Sequence, residues 1–189
     1  MEDNKKIKIQ IKSVFGDVLF AYEKENNTIK DTVEEAVRRK VSLNRANLNR
    51  ASLDGANLDG ASLYGANLYG ASLDGAKDIP YIPLSCPSDG AFIGWKKVKC
   101  YLIKLEIPED ARRISATTRK CRCDKAKVLE VTNINTNEQV SEIINESYNQ
   151  LTHYKVGEMV YPDKFDDNRW NECSNGIHFF INKQDAIDY

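Results

Sequence analysis

The sequence has little of several residue types whose abundance would indicate a specialised class of protein. Its 189 residues include two histidines, two tryptophans and five prolines, and the formal net charge is -1. A chain so close to neutrality has no bulk electrostatic attraction for nucleic acid or an anionic membrane. No apolar run approaches the roughly 18 residues that a membrane span needs. The first residues, Met1 to Lys6, contain no apolar stretch typical of a secretory signal.

The cysteine content also argues against a secreted protein built on disulfides. The chain has five cysteines, an odd number, and they are not preceded by a secretory signal. This combination fits reduced thiols in a cytoplasm, where disulfides rarely persist. Hydrophobic residues make up 41% of the chain, an ordinary value for a globular protein. We therefore expect a soluble cytoplasmic protein with one generous domain or two small ones.

Residues 41–75 contain seven consecutive five-residue repeats: VSLNR, ANLNR, ASLDG, ANLDG, ASLYG, ANLYG and ASLDG. Leucine recurs at every fifth position from Leu43 to Leu73, and alanine lies two residues before it from Ala46 to Ala71. Residues two apart on an extended segment share one face. Each Ala and Leu therefore point inward if every repeat forms one side of a square coil, and the Asn or Ser between them points outward.

This pattern resembles the pentapeptide-repeat family. The resemblance implies a right-handed quadrilateral β-helix with four repeats per coil, so that residues 20 apart stack on one another. Seven repeats then give a little under two coils, and both ends of so short a solenoid need covers.

The flanking sequence supplies candidate covers and a second domain. Ile7–Lys12 and Val18–Tyr22 alternate around a turn at Gly16, which predicts a β-hairpin. Asp31–Lys40 reads as a helix with Asp31 or Thr32 as N-cap. The predicted organisation is an N-terminal hairpin and capping helix over 1–40, the β-helix over 41–77, a linker over 78–90 and an α+β domain over 91–189. The fold class is mainly β with α.

Within the C-terminal domain, we predict one strand over Trp95–Ile107, a second over Lys125–Thr132 and a third over Gly176–Ile181. Asn135–Leu151 suggests an amphipathic helix, with the apolar side formed by Val140, Ile143, Ile144, Tyr148 and Leu151. Asn182 is a plausible N-cap for a terminal helix that ends at Tyr189.

A basic segment in this domain is the main candidate for a binding site. It combines cations and hydroxyl groups in a predicted loop: Arg112, Arg113, Thr117, Thr118, Arg119, Lys120 and Arg122. Guanidinium groups bind phosphate or carboxylate in a bidentate manner, and hydroxyl groups add short-range donors. The functional interpretation is an anion site for a nucleotide, a phosphorylated metabolite or an acidic partner. Alternatively, these side chains pair with the acidic residues that follow Val128 and hold the domain together.

Three further side chains are candidates for ligand contact, each with a structural alternative. Trp95 and Trp170 could stack on a planar ligand or pack in the core. His178 lies on the third predicted strand and is either a ligand contact or a buried imidazole bonded to a carbonyl. A metal site formed by Cys121, Cys123, Cys173 and His178 is a weaker alternative, because Cys-x-Cys is tighter than the spacing of structural zinc sites. We predict no cofactor.

Catalysis is also a weak interpretation of these residues. Cys173 with His178 or His153 could form a thiol–imidazole pair, which nucleophilic catalysis requires within hydrogen-bond reach. The sequence contains no phosphate loop, metalloprotease helix or serine-nucleophile elbow. We therefore expect a protein that is not an enzyme.

Several boxes in the C-terminal part carry a second resemblance, namely Gly94–Lys97, Ile107–Asp110, Thr118–Arg122 and Arg169–Phe179. They resemble a domain of uncharacterised function that follows short pentapeptide solenoids in phage and prophage proteins. The resemblance supplies no catalytic residues, and it implies the cytoplasm of a host cell as the location if the protein is phage-encoded.

Our leading hypothesis is a non-catalytic, phage-type accessory binding protein. Its solenoid would be an assembly platform, with Tyr64 and Tyr69 promoting self-association into a homo-oligomer. Its C-terminal domain would bind a small anionic ligand, for example a nucleotide-like host defence signal, or a host protein. We expect no membrane or nucleic-acid partner.

The alternatives are an enzyme that uses Cys173 and His178, and a DNA-mimicking topoisomerase inhibitor, an activity that the pentapeptide resemblance implies. A net charge of -1 over 41–75, on fewer than two coils, argues against a long acidic rod.

Overall fold

A computed structural model describes residues 5–147 and 150–189 of the chain. The chain forms two compact units, which divide between Ile82 and Pro83. The two helices are short, with ten and six residues, and strands outnumber them, so the protein is mainly β. Among the described residues, no helix has the length and apolar character needed to cross a bilayer.

The first unit opens with an antiparallel hairpin of β1 (Lys6–Lys12) and β2 (Val18–Glu25), followed by α1 (Ile29–Arg38). The predicted hairpin is present, but the N-cap of the helix is Thr28 rather than Asp31 or Thr32. Thr28 and Asp31 form a capping box, in which each side chain binds the backbone N–H of the other. Thr32 is instead buried, and its hydroxyl donates to the Thr28 carbonyl. The helix ends at Arg38, two residues before the predicted end.

The repeats stack as the five-residue period predicts. Parallel bridges join residues 20 positions apart, namely Asn47 and Asn67, Ser52 and Ser72, and Asn57 and Lys77. Backbone hydrogen bonds run in both directions between the two layers. Leu53 N–H donates to Ser72 O, and Ser72 N–H donates to Ala51 O, both at 2.9 Å. Six of the seven repeat leucines are buried and Leu68 is half-buried, so the apolar side chains form a narrow core.

The corners of the coil have positive φ angles, which glycine adopts at little cost. The later repeats place glycines there, whereas the first two repeats place Arg45 and Arg50, with φ of 59° and 56°. A Cβ atom on Gly65 would lie 3.5 Å from Cγ of Arg45, and one on Gly70 would lie 3.3 Å from Cγ of Arg50. Each arginine stem therefore lies against the glycine of the coil above it.

The second unit is built on a seven-stranded antiparallel sheet, with a separate two-stranded hairpin and a terminal helix. Its elements are β3 (Phe92–Val98), β4 (Tyr101–Ile107), β5 (Arg113–Ser115), β6 (Lys120–Cys123), β7 (Ala126–Asn133), β8 (Glu142–Ser147), β9 (Gln150–Lys155), β10 (Met159–Val160), β11 (Ile177–Phe180) and α2 (Lys183–Asp188). The order across the sheet is β10-β7-β4-β3-β11-β6-β5. Strand β11, which is last in the chain, thus lies in the interior of the sheet.

Each face of this sheet is covered. The larger core contains Ile103, Leu105, Val128 and Phe179, with Tyr154 from β9 packed against them. A smaller core on residues of β4, β11 and α2 contains Leu102, Phe180 and Ala186. Asn182 caps α2 by accepting from Gln184 N–H, as the sequence predicts.

Two of the predicted elements are wrong. The single strand expected over Trp95–Ile107 is two strands, because Lys99 adopts a φ of 55° and reverses the chain after Val98. The helix expected over Asn135–Leu151 is a turn followed by the β8–β9 hairpin. Apolar residues three and four apart fit a helix, but here Ile143 pairs with Tyr154 across two strands. Tyr148, which was part of the predicted helical stripe, lies outside the described residues.

Candidate functional site

The basic segment is largely strand rather than loop, and it forms β5, β6 and their connection. Arg113 and Arg122 are buried, with 9% and 3% of their surfaces exposed. Arg113 donates to the carbonyls of Gly90, Pro108, Glu109 and Ala111. Arg122 donates to the carbonyls of Asp166, Asn168 and Asn171. Both guanidinium groups therefore hold loops of the protein together, and Nε of Arg122 is buried without a hydrogen-bond partner in the described part of the chain.

Two further basic residues of this segment, Arg112 and Arg119, bond to acidic side chains. Arg112 pairs with Asp124 at 3.0 Å and Arg119 pairs with Asp185 at 2.7 Å. The Thr118 hydroxyl binds Glu172, and Thr117 is half-buried. A void beside the segment, next to Arg122 and Arg169, has a volume of about 10 Å³. That space holds about one water molecule, so the void cannot admit a nucleotide.

The two tryptophans contact cationic side chains of the protein. Trp95 packs in the smaller core, with Nζ of Lys104 and Lys183 at 5.9 and 5.2 Å from its ring centroid. Trp170 is half-buried, and the Arg169 guanidinium lies 4.7 Å from its ring centroid. Both rings are thus in contact with protein groups that a stacked ligand would have to displace.

The possible metal ligands are separated by their environments. Cys121 and Cys123 are buried in the larger core, whereas Cys173 is exposed. Burial raises the pKa of the Cys123 thiol, which opposes thiolate formation. In the described part of the chain, no group of three or more His, Cys, Asp or Glu side chains could hold a metal ion.

The thiol–imidazole pair is likewise not formed in this structure. Cys173 Sγ lies 3.5 Å from Lys120 Nζ, and His178 Nε2 lies 2.8 Å from the Ser174 carbonyl. His153 Nδ1 contacts Glu142 instead. Each of the three groups has a different partner.

A cavity of about 500 Å³ lies in the second unit, beside strands β3, β6, β9 and β11. Strand β11 pairs with β6 over four residues but with β3 only through Phe180 and Trp95. The lining is polar and apolar in about equal parts, and it includes Lys96, Lys120, Thr152, Tyr154, His178 and Tyr189. The volume lies within the range of roughly 300–1,000 Å³ that is typical of small-molecule sites.

Lys96 projects from the central strand β3 into this cavity. Its Nζ donates to the His178 carbonyl at 3.3 Å and lies 6.0 Å from the centroid of the Tyr154 ring. Burial disfavours the charged ammonium and lowers the pKa of Lys96 to about 8. At pH 7 this side chain is still mainly cationic, although its amine is far easier to deprotonate than that of an ordinary lysine.

Lys120 lines the same cavity from β6, and only 7% of its surface is exposed. Its Nζ lies 3.5 Å from Cys173 Sγ and 3.4 Å from the Tyr189 hydroxyl oxygen. The Tyr189 ring centroid is 5.4 Å away, which adds a cation–π contact. These contacts favour the ammonium form of Lys120.

His178 contributes a neutral imidazole to the cavity wall. Nε2 faces a carbonyl oxygen at 2.8 Å, so we assign the proton to Nε2 and leave Nδ1 as an acceptor. Burial, together with the smaller effect of the nearby cations Lys96, Lys120 and Arg122, lowers the pKa of His178 to about 4. The imidazole therefore carries no charge at neutral pH.

The charge of the cavity wall is unbalanced at buried Lys120 and half-buried Lys96. In the described ranges, neither Lys96 nor Lys120 has a carboxylate within ion-pair distance, whereas Lys125 pairs with Asp110 and Lys155 with Glu158. The hydrogen-bond partners of Lys96 and Lys120 are a carbonyl, a cysteine sulfur and a tyrosine hydroxyl, and the Glu172 carboxylate raises the pKa of Lys120 from beyond ion-pair distance. Asp163 and Lys164 also line the cavity, but both are exposed to solvent.

Of the ten predicted ligand-binding residues, the cavity includes Lys120 and His178. Sequence reasoning missed Lys96, Tyr154 and Tyr189. A signal for Lys96 was present, because a lysine interrupts the alternation of Phe92, Gly94 and Val98 on one side of β3. A cation at such a position needs a polar partner or a cavity.

Comparison with known proteins gives two family matches. Residues 82–186 match a family of unknown function, DUF5758, and residues 42–77 match pentapeptide repeats in eight copies. No curated protein and no solved structure matches the chain. The first match covers more than half of the chain and includes the whole cavity wall except Tyr189.

Proposed function

The chain belongs to the DUF5758 family and carries pentapeptide repeats, and on this premise we propose that its second unit binds a small anionic ligand in the cavity. One observation carries the proposal: Lys96 and Lys120 line a space of about 500 Å³ without a carboxylate partner in the described ranges. The proposed site therefore lies at the two lysines, rather than at the arginine side chains where the sequence predicts it.

The energetic reason is the cost of two ammonium groups held away from bulk water. Removing an ion from water costs several kcal/mol unless a partner of opposite charge or additional hydrogen bonds compensate. Neutral partners compensate only in part, and a phosphate or carboxylate group between the lysines would supply both charge and acceptors. His178 Nδ1 and the Tyr154 hydroxyl then offer neutral contacts for the rest of the ligand.

The sharper form of the proposal is a nucleotide-like ligand, such as a host defence signal that a phage-type protein would sequester. The cavity volume and the aromatic rings of Tyr154 and Tyr189 support this form. Separate partners for Cys173, His178 and His153 support a binding role rather than catalysis.

For the repeats we propose a right-handed, quadrilateral coil, capped by the hairpin and α1, that is a platform for self-association. Tyr64 is 82% exposed and Tyr69 is 44% exposed, and large exposed aromatic residues are typical of association surfaces.

Isothermal titration of the full chain tests the binding proposal with inorganic phosphate, ADP-ribose and a cyclic dinucleotide as probes. We expect at least one probe to bind, and Lys96→Met and Lys120→Met each to weaken it at least about ten-fold, the loss of one charge-assisted contact. Lys127→Met is the matched control, because Lys127 is an exposed lysine on β7, and it should leave affinity unchanged.

The pH dependence of binding provides a second test. Affinity should fall as pH rises through about 8, because Lys96 loses its positive charge there. Absence of heat with all three probes, or equal losses in Lys127→Met and Lys96→Met, would overturn the proposal.

A further inference from the structure

The two lysines of the cavity have different surroundings, and the difference suggests separate roles. Lys120 is held by the Tyr189 hydroxyl, the Tyr189 ring and the Cys173 sulfur, all of which stabilise or tolerate an ammonium. Lys96 has one carbonyl at 3.3 Å and an aromatic ring at 6.0 Å. Lys120 is therefore equipped to hold an anion, whereas the amine of Lys96 is comparatively free to react.

We propose that Lys96 forms a reversible imine with a small aldehyde or 2-oxo acid whose anionic group is held by Lys120. The proposal rests on the anion site proposed above and specifies the class of its ligand. It describes covalent capture of a ligand and requires no further catalytic group.

The environment of Lys96 favours this reaction. A lysine becomes a nucleophile when it is desolvated or lies next to another cation, and Lys96 meets both conditions. The charged and titratable groups around it are Lys120, Cys123, Tyr154 and His178, with exposed Asp163 and Lys164 on the same cavity wall. At a pKa of about 8, roughly one amine in ten is neutral at pH 7, compared with fewer than about one in a thousand for an ordinary lysine.

The chemistry balances without an oxidant or a reductant. The neutral Lys96 nitrogen attacks the carbonyl carbon, the C=O electron pair moves to oxygen, and a proton moves from nitrogen to that oxygen. The resulting carbinolamine loses water as its C–O bond breaks and a C=N bond forms. Addition of water to the imine reverses the sequence and releases the ligand unchanged.

Pyridoxal 5′-phosphate is a suitable probe because it carries an aldehyde and a phosphate group on one small ring. The full chain is incubated with it, reduced with borohydride, and analysed by peptide mass spectrometry. Reduction converts the imine to a stable secondary amine, so the modified residue can be located. We expect Lys96 to be labelled at least about ten-fold faster than exposed lysines, in keeping with its larger neutral fraction.

Lys96→Arg is the decisive variant, because arginine retains the positive charge but cannot form the imine. Its label at position 96 should disappear, whereas Lys104→Arg, on the neighbouring strand β4, should leave labelling unchanged. Lys120→Met should slow labelling of Lys96 at least about ten-fold, because the phosphate group loses its partner. Labelling spread evenly over exposed lysines, or labelling of Lys96 that Lys120→Met does not alter, would overturn the inference.

Pyridoxine 5′-phosphate, which lacks the aldehyde, separates this inference from the proposed function. If it binds wild-type and Lys96→Arg proteins equally while Lys96 resists labelling by the aldehyde, the anion site stands and the imine is excluded. If it fails to bind together with the three anionic probes above, the proposed function fails and takes the imine proposal with it.

Discussion

The repeats and the seven-stranded sheet differ in how the sequence determines the positions of polar groups. In the repeats, the position of a residue within its five-residue unit determines whether it is buried, and partners are 20 positions apart. In the sheet unit, Lys96 meets the His178 carbonyl from 82 positions away, and Lys120 meets Tyr189 from 69 positions away. Local order thus builds the first unit, whereas long-range pairing creates a cavity of ligand size in the second.

This contrast shows which part of the protein can accommodate a cation that has no carboxylate partner. The repeat core is a narrow stack of leucine and alanine, and it has no position for an unpaired charge. The sheet unit buries Arg113, Arg122 and Lys120 and half-buries Lys96. The two arginines donate to carbonyls, whereas the two lysines face a cavity. The structure thus contains two kinds of basic residue: arginines that hold loops together and lysines that face the cavity where we propose that a ligand binds.

The strongest test of this comparison is a substitution that creates a cavity in the repeat core. Leu53 has no exposed surface, and Leu53→Ala should lower the free energy of unfolding by about 3 kcal/mol, because a well-packed layer cannot collapse around the lost atoms. Urea unfolding followed by circular dichroism measures the change. Ser52→Ala is the control on the outward side of the same repeat, and a loss as large as that of Leu53→Ala would contradict the assigned inward and outward positions.

In the sheet unit, replacement of half-buried Lys96 should change the free energy of unfolding in the opposite direction. Because burial lowers the pKa of Lys96 to about 8, the folded state resists its charge at neutral pH. Lys96→Met should therefore raise the free energy of unfolding at pH 7 by about 2 kcal/mol, after allowance for its partial exposure. Urea midpoints of wild type and variant give the value, with Lys127→Met expected to change it little. Destabilisation by Lys96→Met would show that the lysine supports the fold.

The repeats, the hairpin β1–β2 and the terminal helix could be predicted because each depends on neighbours in sequence. The predicted N-caps of α1, Asp31 and Thr32, lie three and four residues after the observed cap, because the side chains of all three residues are suited to capping. The β8–β9 hairpin was read as a helix because Val140, Ile143 and Ile144 satisfy helical spacing. Only pairing of Ile143 with Tyr154 distinguishes the two.

The site was harder to predict because its signal is spread over the whole sheet unit. The run of charge in the arginine-rich segment predicts an anion site. In the structure, however, carbonyls from distant loops bind Arg113 and Arg122. Lys96 is the one cation on the side of β3 that carries Phe92, Gly94 and Val98, and its cavity exists only after β11 is inserted beside β3. The sequence shows that position 96 is a lysine, but it does not show the cavity that this lysine faces.

A smaller effect should follow acidification of the sheet unit. The pKa of His178 is about 4 in the folded protein and near 6.5 when unfolded, so the unfolded state binds the proton first as pH falls. Stability should therefore be lost between about pH 6.5 and pH 4, by about 1–2 kcal/mol for this partly exposed group. Unfolding of wild type and His178→Asn at pH 7 and pH 5 measures the difference. An equal pH dependence in both proteins would assign the effect to other groups.

The smallest expected effect concerns the exposed arginines. Arg112 is 62% exposed at its side chain and pairs with Asp124, and such pairs contribute about 0–1 kcal/mol. Arg112→Gln should cost no more than this in urea unfolding and leave affinity for the anionic probes unchanged. A large loss of affinity would return the binding site to the segment that the sequence predicts, and would blur the distinction between the two kinds of basic residue.

The interval of 20 residues between stacked positions also sets how the repeat region can change its length. Insertion of one pentapeptide between Arg50 and Gly65 moves every later residue to the adjacent side of the coil. Gly65 and Gly70 would then no longer cover the stems of Arg45 and Arg50. Insertion of four pentapeptides adds a complete coil and returns each later residue to its original side. Duplication and deletion during evolution, or in the laboratory, should therefore be tolerated best in whole turns.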